Sequence, residues 1–164
     1  MPHSLRAIFD INVIINGLTG PKSTFPLIEE VPPTSGNWAA DAISLAFDGE
    51  DFKLFLSPHI MKNTVRIMRK SMGCSEELAN VASLAITEIV HQSGGSIVEP
   101  PRHTSENKDF EDNLILDLAF AVDALVIVTN DADLLEMNPW NGGLILTPRD
   151  FVSRVVRART NPTI

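Results

Sequence analysis

The chain has 164 residues, 44% apolar and 21% charged, the balance of a globular protein with one domain-sized core. Its one cysteine, Cys74, excludes a disulfide framework within the chain and a zinc–thiolate cluster. The formal charge of −8 weighs mildly against a general polyanion binder, because phosphate contacts usually supply most of such a protein's affinity.

Residues 6–9, RAIF, form a short apolar run that predicts a buried strand. The strand ends on Asp10, and a helical turn can begin near Asn12, with Gly17 and Gly20 as breakers. Residues 19–36 carry four prolines among Gly, Ser and Thr and read as an irregular excursion within the domain. The apolar spacing of Trp38, Ala42, Leu45 and Ala46 predicts a helix over 35–49. FKLFLS (52–57) is the next strand.

A helix over 57–73 has Ser57 as N-cap, Pro58 at its first position and Gly73 as its stop. Ile60, Met61, Thr64, Val65 and Met68 form its apolar stripe, and Met61, Met68 and Met72 are expected in the core. Lys62, Arg66, Arg69 and Lys70 lie largely off that stripe. A second helix, 75–95, is capped by Ser75 and stopped by Gly94 and Gly95. SIVEP (96–100) predicts a short strand, followed by a loop. A helix over 109–124 leads into LVIVT (125–129), a strand without polar alternation and so covered on both faces. NDADLLEM opens a short helix, GLILT (143–147) is a strand, and PRDFVSRVVRAR is the last helix.

Short apolar strands alternating with helices predict a three-layer α/β/α sandwich around a central four- or five-stranded, mainly parallel sheet, in a single domain over 1–164. In such a sheet, ligands sit outside the carboxyl ends of the strands. Asp10 follows the first strand there, and Asp131 and Asp133 follow LVIVT. Asp109 and Asp112 open the helix that runs back from the same rim. Each acid has a bland role, as a helix cap or dipole partner. Their convergence from three segments favours a site. Clustered carboxylates raise one another's pKa, and a hard divalent cation such as Mg²⁺ or Mn²⁺ relieves this while taking oxygen ligands. It can also activate water and brace a phosphate.

Other chemistries are weaker. His59, His91 and His103 lack zinc-ligand spacing, which leaves them surface or packing roles. There is no nucleophile elbow and no glycine-rich phosphate loop after a strand. The run from Arg149 to Arg159 reads as a solvated helix face, with contact to a polyanion as the lesser alternative. No apolar run is long enough to cross a bilayer and no cleavable leader precedes the first strand, so the expected location is the cytoplasm.

IFDINVIINGL resembles the opening motif of PIN-domain ribonucleases, and DFEDNLILDLAFAVDALVIVTNDADLL resembles their second acidic segment. ILTPRDFV is similar to their closing strand and helix. The order is right, and the likeness covers the chain outside 19–36. The resemblance implies a Mg²⁺- or Mn²⁺-dependent endoribonuclease of the VapC-like toxin kind. It implies Asp10, Asp112 and Asp131 as the catalytic metal carboxylates, with Asn12, Asp109 and Asp133 supporting. It also implies an RNA substrate, an antitoxin partner and a homodimer, for which the stripe of Ile60, Thr64 and Met68 is a candidate face, although burial within the core explains that stripe equally well.

Two positions depart from the family pattern. Ile11 stands where a hydroxyl residue is usual, and Lys62 and Asn63 stand where a Glu is expected. Asn63 keeps a carbonyl oxygen as a supporting ligand group, and Asp41 or Asp48 are possible replacements for the charge. The departures also fit a second reading, a degraded PIN-like domain that binds RNA or a protein. A third reading, phosphotransfer with Asp10 as nucleophile, lacks the second Asp it requires, because Asn12 is there.

Overall fold

The computed structural model describes residues 4–21, 23, 25, 36–103 and 109–161. Most of the 19–36 excursion therefore lies outside the described residues. Four strands form one sheet in the order β2-β1-β3-β4: β1 (Leu5–Phe9), β2 (Phe52–Phe55), β3 (Val126–Val128) and β4 (Leu144–Leu146). All three pairings are parallel, with Ile8 opposite both Phe55 and Ile127, and Ile127 opposite Ile145. The helices are α1 (Ile11–Thr19), α2 (Trp38–Asp48), α3 (Pro58–Lys70), α4 (Glu76–Gln92), α5 (Phe110–Ala121), α6 (Ala132–Glu136) and α7 (Pro148–Thr160). The expected α/β sandwich is therefore present.

The strands are mostly apolar, with Arg6 in β1 and Lys53 in β2 as the exceptions, because helices cover the faces of the sheet. Ala7, Ile8 and Phe9 of β1 are fully buried, as are Ile127 and Val128 nearly so in β3. Phe9, Phe52 and Phe151 pack edge-on or tilted, with ring centroids 5.0–5.8 Å apart, and tie α7 to the sheet.

Side-chain caps set where several helices begin. Ser57 accepts from Ile60 N ahead of Pro58, and Ser75 accepts from Leu78 N. Gly17 lies inside α1 rather than ending it. A β-carbon there would stand 2.3 Å from Ile43 Cδ1 and 2.9 Å from the Ala39 carbonyl, so glycine is what lets α1 and α2 touch. Gly20 is the C-cap of α1. Gly95 serves a similar purpose, since a β-carbon there would stand 1.7 Å from the Leu54 carbonyl.

Several expectations need correction. The strand expected over 96–100 is a single parallel bridge, Leu56 with Ile97, flanked by Leu56 N to Ser96 O and Val98 N to Leu56 O. Residues 99–101 turn away in a Pro-Pro pair that has no N–H to extend a ladder. Helix α3 ends at Lys70 with Ser71 as its cap, and Met72 is exposed rather than core. The stripe of Ile60, Thr64 and Met68 is interior to the chain and offers no face to a second copy.

Candidate active site

Asp10 closes β1 and caps α1, with Oδ1 accepting from Ile11 N at 2.7 Å. Its Oδ2 accepts from Thr129 Oγ1 at 2.7 Å and from Asn12 Nδ2 at 3.1 Å. Asn12 Oδ1 in turn accepts from Asn130 N at 3.1 Å. Thr129 directly follows β3, and its hydroxyl also accepts from Asp131 N at 2.9 Å. The ends of the two central strands are thus cross-linked through one hydroxyl and two polar side chains. Asp131 caps α6, with Oδ1 accepting from Asp133 N at 2.8 Å and Leu134 N at 3.3 Å. Asp109 caps α5 through Glu111 N at 2.8 Å. Capping and site-building are therefore not alternatives here. One oxygen of Asp131 fixes a helix start while the other remains for a ligand.

Ligand oxygens of Asp112, Asp131 and Asp133 lie within 4.8 Å of one another, so these three can hold a metal ion. Asp10 is not among them. Its carboxylate is bonded to Thr129, Asn12 and the Ile11 amide, and it shares one cleft of about 440 Å³ with Asp109, Glu111, Asp112 and Asp131. Asp112 is 4% exposed, and its Oδ2 has no hydrogen-bond partner among the described residues. A buried oxygen in that state costs free energy unless something binds it. Burial first, then the charges of Asp131, Asp109, Asp10 and Asp133, push the Asp112 carboxyl up to about 7. Asp10 is also raised, chiefly by burial, against the lowering effect of its bonds to Thr129 and Ile11. An oxygen-only donor set with an unpartnered buried carboxylate oxygen fits a hard divalent cation.

Asn63, on α3, also lines the cleft. Its amide nitrogen lies 2.8 Å from His59 Nε2 and donates to Glu111 Oε2 at 3.3 Å, and Arg66 Nε donates to Asn63 Oδ1 at 3.2 Å. His59 Nε2 also meets Glu111 Oε2 directly. A carboxylate does approach the position where the family's Glu is expected, but it comes from α5. Asp41 and Asp48, the replacements expected from sequence, line no part of this cleft. Asp41 is fully buried in α2, and Asp48 pairs with Arg159 at 2.7 Å. His103 stacks on Phe120 at 4.5 Å between ring centroids, a packing role.

Sequence reasoning passed over Thr129, Glu111 and Arg66 as members of the site. The signal for Thr129 was present, since it is the one hydroxyl residue ending an otherwise aliphatic strand, two residues before Asp131.

A parallel α/β sheet with acidic side chains from three segments at its carboxyl rim is an architecture suited to metal-assisted phosphodiester chemistry. Residues 6–133 match the PIN domain, and the chain belongs to that family. PIN domains are generally metal-dependent nucleases, so this is a nuclease-type fold carrying an acidic cluster that can bind metal. No curated protein and no solved structure matches the chain. Among the described residues, no helix is long and apolar enough to cross a membrane.

Proposed function

We propose that this chain is a Mg²⁺- or Mn²⁺-dependent endoribonuclease and the toxin of a VapC-like toxin–antitoxin pair. The observation that carries the nuclease reading is Asp112 Oδ2, buried and without a partner among the described residues, in the triple with Asp131 and Asp133. Asp112 and Asp131 would hold the ion, with Asp133 in reach and Asp10 facing them across the cleft. When bound, the ion supplies an activated water and neutralises charge building on the scissile phosphate.

The chain's own residues do the rest. Thr129 and Asn12 fix the orientation of Asp10, so its remaining lone pair on Oδ1 has one direction. With its carboxyl raised to about 7, Asp112 is only partly ionised near neutral pH in the metal-free protein, and it must give up the remaining proton to act as a ligand. Glu111, restrained by His59 and Asn63, sets a further negative wall that faces substrate. The toxin assignment, the antitoxin and a homodimer rest on the motif likeness, as does a cytoplasmic location.

A second reading has its own support. Asn63 supplies no charge where the family has Glu, which favours an RNA- or protein-binding domain that does not cut. Two variants separate the readings. Asp10→Asn and Asp131→Asn should fold, lose stabilisation by Mn²⁺ and lose RNA cleavage. At 100 times its dissociation constant, Mn²⁺ should stabilise the parent by about 2.7 kcal/mol. A parent indifferent to Mn²⁺ and inert toward RNA would establish the non-cutting domain instead.

A further inference from the structure

Lys62, Arg66, Arg69 and Lys70 all lie exposed on α3, within about 100° of its circumference and over about 12 Å of its length. No Asp or Glu occurs between Asp51 and Glu76, so the helix carries these cations with no acid of its own. None of the four makes an ion pair among the described residues. In a chain of net charge −8, such an unneutralised group needs a reason.

All four line a second hollow of about 470 Å³ beside the acidic cleft, where Glu76 at the start of α4 is the one acid against four cations. Arg66 belongs to the walls of both, and its Nε is anchored to Asn63 Oδ1 inside the cleft. Asn16 is shared between the cleft and a third hollow of about 370 Å³, where Trp38 and Arg149 stand, and this third hollow has no lining residue in common with the second. The acidic cleft therefore adjoins both other hollows, one walled by cations and the other by an exposed indole and a guanidinium.

We infer that these hollows together are the seat of a single-stranded nucleic acid. Its backbone phosphates lie on Lys62, Arg66, Arg69 and Lys70, and a base beyond the cleft stacks on Trp38. Exposed cations track a phosphodiester backbone without reading sequence, and an aromatic face accepts any base. An acidic protein segment would suit α3 alone, but it would meet Asp10, Glu111, Asp112 and Asp131 as it continued. A nucleic acid is the polyanion that a cation-loaded carboxylate cleft also receives. This inference rests on the nuclease reading and extends it by naming the substrate's course.

The test is binding of a fluorescent single-stranded RNA in chelator, where no cleavage occurs, at several salt concentrations. Parent, Lys62→Ala/Arg69→Ala/Lys70→Ala, Trp38→Ala and Arg154→Ala are compared, with cleavage in Mn²⁺ followed on the same preparations. The substituted side chains are exposed, so the melting temperatures of the variants serve as the folding control. Losing three phosphate contacts should weaken binding at least tenfold and lower the salt-dependence slope by about 2. Trp38→Ala should weaken binding with the slope unchanged. Arg154→Ala, near the opposite end of the strands, should bind as the parent does.

If the parent cuts RNA and the triple variant binds it with the parent's affinity and slope, the path is wrong while the nuclease reading stands. If the parent neither binds nor cuts RNA, both fall. If poly-glutamate of equal charge displaces the RNA from the parent as well as unlabelled RNA does, α3 is a face for an acidic protein and the inference is overturned.

Discussion

Thr129 Oγ1 donates to Asp10 Oδ2 at 2.7 Å, joining the residue that follows one central strand to the acid that follows its neighbour. The same oxygen accepts from the Asp131 amide at 2.9 Å, so one hydroxyl positions two of the acids. Thr129→Val keeps the shape and removes both bonds. It leaves Asp10 Oδ2 with only Asn12 and strands a partly buried amide. We expect a stability loss of about 1–3 kcal/mol and a weaker Mn²⁺ shift in melting temperature. Thr129→Ser restores both bonds and should recover the Mn²⁺ response. Thermal melts with and without the ion check both outcomes. A valine variant with the parent's full Mn²⁺ response would show that Thr129 has no part in ordering the acids.

What the sequence made legible follows from local chemistry. Ser57-Pro58 and Ser75 start helices because capping is decided within four residues, and the aliphatic run of LVIVT announces a strand covered on both sides. The convergence of Asp10, Asp112 and Asp131 on one cleft was legible too, because parallel topology dictates which ends of the strands share a rim. What was hidden depends on contacts between distant segments. Glu111 meets Asn63 across 48 residues of sequence, and no local pattern announces that a helix N-terminus leans on α3. The bond that orients Asp10 comes from Thr129, which is 119 residues away, and the grouping of Asp112 with Asp131 and Asp133 likewise joins separate segments. The strand at 96–100 failed because apolar composition cannot tell a ladder from the single bridge that the following prolines permit.

The raised carboxyl of Asp112 makes the metal-free protein sensitive to pH. Below about pH 4 this group is protonated in folded and unfolded chains alike, and its contribution to stability is intact. As pH rises toward about 7, the unfolded chain ionises while the folded chain holds its proton, so stability falls through that window. Asp10 is shifted in the same direction and adds to the loss. In chelator, the melting temperature should therefore decline from pH 5 to pH 7.5, by an amount on the order of a few kcal/mol in stability. Asp112→Asn should flatten much of this decline and be more stable than the parent at pH 7.5. Parent and variant melts with parallel pH profiles would show that Asp112 is not the group responsible.

Gly17 predicts a structural cost with consequences for the rim. In Gly17→Ala the new methyl group meets Ile43 Cδ1, which can rotate away, and the Ala39 carbonyl, which cannot move without its helix. Helices α1 and α2 must separate, at about 1–3 kcal/mol. Because Asp10 and Asn12 begin α1, Mn²⁺ binding should weaken along with stability. Urea unfolding and an Mn²⁺ titration on the same variant measure the two effects. Unchanged stability would mean that the helix pair is looser than this contact implies.

Asn63→Glu restores the family's residue at the one place where the cleft lacks its charge. In the metal-free protein, the new carboxylate replaces a donor to Glu111 Oε2 with a like charge and sits among Asp10, Asp112 and Asp131. That should destabilise the chain by about 1 kcal/mol or more, with Arg66 offsetting part of the repulsion from its present contact with the side chain. The added oxygen ligand and charge should then strengthen divalent-ion binding, so Mn²⁺ should raise the melting temperature of the variant by more than it raises that of the parent. Calorimetric titration of Mn²⁺ gives the affinities directly. A variant that is less stable without the ion, and gains no affinity with it, would mean that Asn63 lies too far from the ion's position for a carboxylate there to reach it.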